Sequence, residues 1–420
     1  MSMTGEKSTA QLPNWLFCIL LSTVPVVVTF LDFTFDHGLL TLPRFGEVFR
    51  ERSMEPVKKF APPAKRDDVG YDGQFYAQIA LDPSLQNPAL KSACDNLSYR
   101  AKRIALPSFA YFLGGGQPWA VLQIYSILNL GFWFLLMVLL VREFGIESWT
   151  SRMMLTAILW NAGCLISIGR ALTDLPALCL SVAAVCACQN RRANNQDKIE
   201  TDFPQSFLSS IFASLSVLTK ETAIISLFSF CGRPIGSRAW QWIARIAVIV
   251  MPIMLWSAYV RYRVGPDASG LGNFAPPLFG FFYKLNVTWS ETIAFFPRFP
   301  LLELIAPWTI VAQVIFLLSH ASLRSKWWHF GIGFAILAIF IGPWVWSTQS
   351  AYSRCLLPLT VSFNILLAQT NDHRSNFMKW WLLGNVGYLD RAVPGLLLLL
   401  VVDWIWGQKL KCYHRTASTT

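Results

Sequence analysis

Gly70-Tyr71-Asp72-Gly73-Gln74-Phe75-Tyr76-Ala77-Gln78-Ile79-Ala80-Leu81-Asp82-Pro83 is a polar, aromatic stretch in the one long hydrophilic loop of an otherwise apolar chain. Pro62-Pro63 breaks regular structure ahead of it, and Asp82-Pro83 closes it. Tyr71, Phe75 and Ile79 recur at i, i+4 and i+8, which predicts a helix over 73–81 with those side chains on one face. Asp72 then falls at the N-cap, a position that suits a carboxylate. A carboxylate between Tyr71 and Tyr76 near a membrane surface could also take a proton from an attacking hydroxyl. The two roles are compatible, because a cap fixes the direction of the carboxylate.

Outward from this loop the chain is apolar. Of 420 residues 54% are hydrophobic and 14% charged, against roughly 25% charged in soluble domains. Mean hydropathy is +0.43. The apolar residues come in blocks of membrane-spanning length. Many of the 18 Trp, such as Trp15, Trp119, Trp149 and Trp308, stand near block ends, where an amphipathic ring suits the lipid–water interface. The expectation is an all-α polytopic membrane protein over 1–420, with about 10–12 spans and a first loop at 32–103 that carries amphipathic helices.

The net charge of +11 is scattered in short clusters between the blocks. That pattern orients a membrane protein on anionic lipid and gives no reason to invoke nucleic acid. Nine cysteines, most within or beside apolar blocks, read as buried small residues and not as a disulfide framework. The five His show no ligand spacing, and P-loop, dinucleotide and zinc motifs are absent.

Apolar blocks fall at 15–31, 118–141, 149–168, 171–189, 205–219, 221–232, 240–260, 301–319, 328–346 and 354–370, with an interrupted block at 380–406. The first reads as an uncleaved span, because no small-x-small cleavage site comes after it. The short blocks at 205–219 and 221–232 suggest a hairpin with Lys220-Glu221 at its tip. Lys and Arg of the short connections are more numerous on the side of the N-terminus, which places that end in the cytoplasm and the loop outside. Asp72, Arg170, Asp174, Lys220, Glu221 and Arg354 then all emerge on the outer side, from separate parts of the chain. Ionisable groups at membrane depth are costly and mark function.

Each of these residues has a plainer alternative. Asp67-Asp68 could hold a divalent cation, the one cofactor left open, or form a solvated loop beside Lys65 and Arg66. Asp174 could pair with Arg170 one turn back. Arg354 could anchor a headgroup or hold a lipid phosphate. Tyr99 to Pro107 reads as an amphipathic piece with its cations at headgroup level.

The phrase Tyr71-Asp72-Gly73-Gln74-Phe75-Tyr76-x-Gln78-Ile79-Ala80 resembles the Asp-x-x-x-Tyr-x-x-Ile-Ala signature of the GPI mannosyltransferase II family and its bacterial relatives, in the GT-C superfamily. Asp72, Tyr76, Ile79 and Ala80 match in register. Tyr99-Arg100-x-x-Arg103-Ile104-x-x-Pro107, Thr173-Asp174-Leu175-Pro176 and Lys220-Glu221 are similar to segments downstream of that signature in those proteins. The resemblance implies transfer of a sugar, mannose-like, from a polyprenyl-phosphate donor to a glycan, lipid or protein acceptor, with Asp72 as general base and inversion at the anomeric carbon. It implies Arg100, Arg103 and Arg354 as partners of the lipid phosphate, and Tyr71, Gln74, Tyr76, Arg170, Asp174, Lys220 and Glu221 as further substrate contacts. The chain departs from the pattern in lacking an acidic pair at Asp72 itself; Asp67-Asp68 lies upstream.

The alternative is a transporter or flippase for lipid-linked glycans that uses the same charges as a headgroup path. Transporters often carry internal repeats, and none is visible here. A bacterial inner membrane with the site facing the periplasm is the expected setting. In a eukaryote it would be the endoplasmic reticulum lumen, with Asn96-Leu97-Ser98 and Asn286-Val287-Thr288 as glycosylation acceptors.

Overall fold

A computed structural model describes residues 12–64, 66–188, 203–230, 239–266, 270–294, 301–321, 325–370, 374–389 and 395. Where they are described, the apolar blocks are helices, and among the described residues the only β pairing is two isolated bridges, Thr34 with Gly38 and Phe274 with Ile341. The protein is an all-α polytopic membrane protein. Among the described residues two helices are by themselves long and apolar enough to cross a membrane, and two bent pairs are so when each pair is taken as one span.

α1 (Asn14–Phe30) leads into the loop, which holds α2 (Glu47–Arg50), α3 (Glu55–Phe60), α4 (Gly73–Leu81), α5 (Ala89–Ala93) and α6 (Leu97–Arg100). α7 (Ala105–Leu113) and Gly114-Gly115-Gly116 turn the chain into α8 (Pro118–Phe144). At 27 residues and 1.5 Å per residue, α8 is about 40 Å long and overshoots a ~30 Å hydrocarbon core. The block at 149–168 is broken: α9 (Trp149–Leu159) and α10 (Ala162–Gly169) meet at 44°, with Asn161 capping α10 through Gly163 N–H. α11 (Asp174–Ala187) and α12 (Phe203–Thr219) pack through small residues, and Ser216 Oγ donates to Ala177 O at 2.7 Å. The expected second arm of the hairpin, Glu221–Phe230, is a 3-10 helix. After it come α13 (Ala239–Val264), α14 (Phe279–Ala294), α15 (Leu301–Ser319), α16 (Lys326–Phe340), α17 (Pro343–Trp346), α18 (Gln349–Cys355), α19 (Leu357–Gln369) and α20 (Arg374–Asn385). The expected span at 354–370 is a second bent pair, α18 and α19 at 63°. α7 begins within the amphipathic piece expected at 99–107 and runs beyond it, and no expected block corresponds to α14. The interruption at Asp390-Arg391 lies outside the described residues, as does 396–406 of the last apolar block.

Side-chain contacts sort the helix ends into two groups. At one end Arg152 Nη2 donates to Leu12 O at 2.6 Å, Lys326 pairs with Glu143 at 3.0 Å, and Trp381 Nε1 donates to Met153 O at 3.1 Å. At the other end lie the loop, the start of α11, the end of α12, and α18. For these helix ends the contacts give the same grouping as the alternation of the apolar blocks.

The loop has a hydrophobic core of its own. Leu40, Val57, Phe75, Ile79, Leu90 and Ala101 bury against Val121, Leu122 and Tyr125 of α8. α4 is buried on every side from Gly73 to Ala80, not on the single face the periodicity predicts. Two glutamines one turn apart tie it in. Gln74 accepts from Gly46 N–H at 3.0 Å and donates to Val69 O at 2.9 Å; Gln78 accepts from Met54 N–H at 2.8 Å and donates to Ala93 O at 3.0 Å. Each pair satisfies backbone groups that burial would otherwise leave without a partner. Gly73 is required by close approach: a Cβ there would lie 2.2 Å from Arg170 O at the end of α10.

Candidate functional site: a charge network at the loop end of the bundle

Asp72 starts α4 at the cap position, but its side chain makes no cap bond. Its Oδ1 instead accepts from Arg100 Nη2 at 2.9 Å. Its side chain is 36% exposed, and among the described residues Oδ2 has no hydrogen-bond partner. One oxygen is anchored and the other is open, an arrangement suited to receiving a proton from outside.

Arg100 is fixed from every direction. Asp95 grips it with both oxygens, Nε to Oδ1 at 3.1 Å and Nη2 to Oδ2 at 2.8 Å. Its guanidinium lies over the rings of Phe75, Tyr76 and Tyr99 at 5.1–5.7 Å. Burial works against its charge, but the oxygens of Tyr76, Asp95 and Asp72 outweigh that and hold it protonated. Arg103 donates to Tyr76 Oη at 2.6 Å, to Tyr99 Oη at 2.6 Å and to Glu221 Oε2 at 2.9 Å. Tyr76 is 1% exposed; burial raises its pKa and keeps the phenol neutral. Gln74 and Tyr76 are thus both enclosed, so their part is to build the site and not to line its open face. The headgroup placement is corrected for Arg100 and Arg103, which turn inward because paired acids and aromatic faces are available there.

The second half of the network is deeper. Asp174 Oδ1 accepts from Lys220 Nζ, and its Oδ2 accepts from Arg354 Nη1 at 3.1 Å. The Asp174–Arg170 pair is corrected accordingly: the carboxylate at the start of α11 turns to α18 and the end of α12. Arg354 also donates to Ser350 O at 2.7 Å and to Tyr71 Oη at 3.3 Å. The Tyr71 ring faces both Arg354 at 5.4 Å and Arg170 at 6.0 Å, so Tyr71 joins the two halves. Beneath lies a small cavity lined by Asp174, Ser181, Lys220, Arg354 and Cys355. Among the described residues Glu221 Oε1 is buried without a hydrogen-bond partner. An apolar groove of Ile104, Leu218, Pro252, Leu255 and Trp256 opens beside the network. Trp256 Nε1 donates to Ala101 O at 2.7 Å and fixes its wall.

All the sequence-derived candidates except Asp67 and Asp68 fall in this network or in its supports. Asp68 Oδ1 accepts from Gly70 N–H at 2.9 Å, and its Oδ2 lies 3.5 Å from Arg44 Nε. The Gly70 hydrogen bond lowers its pKa. Among the described residues no group of three or more His, Cys, Asp or Glu is placed to hold a metal ion. Asp68 is thus engaged within the loop. Asn96 caps α6 through Tyr99 N–H at 3.1 Å and accepts from Ser98 Oγ at 2.9 Å.

The sequence singles out neither Asp95 nor Trp256, and it places Tyr99 in a motif without a role. Asp95 had one available signal, an acid immediately before the Asn96 cap and five residues ahead of Arg100. Trp256 had none, since its approach to Ala101 is made only by folding.

No protein-family profile and no curated protein sequence matches the chain. Among solved structures it is similar to ArnT from Cupriavidus metallidurans in the apo state, at 12% identity and a TM-score of 0.47. The likeness covers 87% of this chain and 62% of that one, so the chain spans less than two thirds of that protein's length.

Proposed function

We propose that the protein is a GT-C-type membrane glycosyltransferase. It moves a sugar, mannose-like by the motif resemblance, from a polyprenyl phosphate to an acceptor hydroxyl of a glycan, lipid or protein on the outer side of the membrane. The observation that carries this reading is Asp72: a carboxylate with one oxygen held by Arg100 and the other open, at the end of the bundle where membrane-depth charges gather. In the proposed step Asp72 Oδ2 takes the proton of the acceptor hydroxyl as its oxygen bonds to the anomeric carbon. The bond to the phosphate oxygen breaks on the opposite face, polyprenyl phosphate leaves with the electron pair, and the configuration inverts. A single base suffices for one displacement.

The two halves of the network suit different tasks. Arg100 already faces two carboxylates, Asp72 and Asp95. Lys220 and Arg354 share one, Asp174. The second half therefore holds the excess positive charge and is the better match for a lipid phosphate. The groove of Leu218, Leu255 and Trp256 starts two residues from Lys220 and offers an apolar path for a prenyl chain. A bacterial inner membrane with this end in the periplasm is the proposed setting.

The test is transfer by purified protein in detergent, supplied with a panel of radiolabelled polyprenyl-phosphate sugars, wild type beside Asp72→Asn. Label that reaches an acceptor or water with wild type and not with the variant supports the reading. Equal turnover by both would remove Asp72 as the base. Saturable donor binding with no turnover by wild type, indifferent to Asp72→Asn, would favour a flippase.

A further inference from the structure

Asp95 belongs to none of the motifs that mark this loop, yet it makes the tightest grip on Arg100. Its carboxylate is itself oriented, since Oδ1 also accepts from Asn96 N–H at 2.7 Å. Arg100 presents a two-pronged edge, Nε with Nη2, and Asp95 occupies that edge in bidentate fashion. Asp72 receives only the second Nη2–H, which points away from that edge. Nη1 points to Tyr76 Oη at 3.4 Å.

We propose that Asp95 is a positioning residue that keeps Arg100 from closing over Asp72. An arginine beside a lone carboxylate prefers the paired, bidentate arrangement. With Asp95 in place the Nε/Nη2 edge is taken and Nη1 of the other edge faces Tyr76 Oη, so Asp72 retains one free oxygen. Without it the guanidinium can pivot on its contact with Tyr76 and engage both oxygens of Asp72. The rings of Phe75, Tyr76 and Tyr99 keep the guanidinium within reach of both acids, so little else has to move. The inference deepens the reading of Asp72 as the base, but its geometry can be tested without any sugar donor.

The experiment is carbodiimide coupling of glycine ethyl ester to the full-length protein in detergent at pH 6, with the yield at Asp72 read by peptide mass spectrometry. A carboxyl group with a free oxygen couples, and one clasped by arginine is shielded. The wild type should label at Asp72. Asp95→Asn should label several-fold less, and Asp95→Glu should recover part of the yield. Arg100→Gln, alone or with Asp95→Asn, should label at least as well as wild type. A merely structural role for Asp95 predicts the reverse for Asp95→Asn, because loosening the loop would expose Asp72. Equal or higher Asp72 labelling in Asp95→Asn would overturn the proposal. If Asp95→Asn does not yield folded protein, the Asp95→Glu variant still decides: a longer side chain that grips Arg100 less squarely should label between wild type and Arg-clasped levels, and labelling above wild type overturns the proposal. With an active donor in hand, Asp95→Asn should lower kcat about tenfold and leave the donor KM within about twofold. A silent Asp72→Asn would remove Asp72 as the base and leave the labelling result standing.

Discussion

Asp72 and Asp174 are both carboxylates beside arginine at the same end of the bundle, but they are built for opposite purposes. Asp72 is 36% exposed and keeps an open oxygen; Asp174 is 6% exposed, with a cation on each oxygen. The difference lies in where each sits. Asp72 opens a helix of a surface loop, where water can replace a missing partner. Asp174 opens a helix of the bundle, where a charge without partners would carry a desolvation cost of several kcal/mol. Proximity to arginine therefore does not identify a reactive acid. What sets Asp72 apart from Asp174 is incomplete pairing.

That contrast can be broken in order of expected effect. Asp72→Asn should reduce turnover by about 10²–10⁴, the usual contribution of a general base, with the melting temperature in detergent nearly unchanged. If the variant instead fails to fold, Asp72 is structural after all. Asp174→Asn should do the converse and destabilise by about 3–5 kcal/mol, because it leaves Lys220 and Arg354 buried with too little opposing charge. Thermal unfolding monitored by size-exclusion chromatography would register that loss. A variant that melts like wild type would mean that water reaches this pocket. Gly73→Ala should fall between the two. Its new methyl would press on Arg170 O, shift the start of α4 and lower activity more than stability; normal turnover would show that the helix start can move without displacing the base.

Two smaller effects sharpen the picture of the loop as a packed body. Gln78→Ala leaves the Met54 N–H and the Ala93 carbonyl without partners and should cost about 2 kcal/mol, seen as faster proteolysis between residues 50 and 95. Cys94 is buried, and its thiol is pushed up to about 12. At pH 8 only roughly one molecule in ten thousand would carry the thiolate, so maleimide should leave Cys94 unmodified until the protein is denatured. Rapid modification of the native protein would mean that the loop opens.

The apolar blocks determined the helical membrane class, because segments of that length and composition have nowhere to satisfy their backbone except in helices within lipid. The Asp72 motif was equally legible: one acid in an aromatic phrase, bounded by prolines, within the single long polar loop. Charge alternation along the blocks was enough to gather Asp72, Asp174, Lys220, Glu221 and Arg354 at one end. It could not say which acid faces which base. Asp174 opposite Arg170 is reasonable from spacing within one segment, and the pairing actually made, with Lys220 and Arg354, depends on how α11, α12 and α18 pack. The broken spans at Asn161 and Leu356 were also hidden, since hydropathy carries no information about direction. Gln74 shows the same limit most plainly. In sequence it is an amide beside a catalytic candidate, and only the fold, by bringing Gly46 and Val69 against it, assigns that amide to the backbone. Sequence determined which groups reach the end of the bundle, because burial follows composition. Tertiary structure decided which of them remain open, because hydrogen bonds and ion pairs depend on distances of about 3 Å that no spacing along the chain specifies.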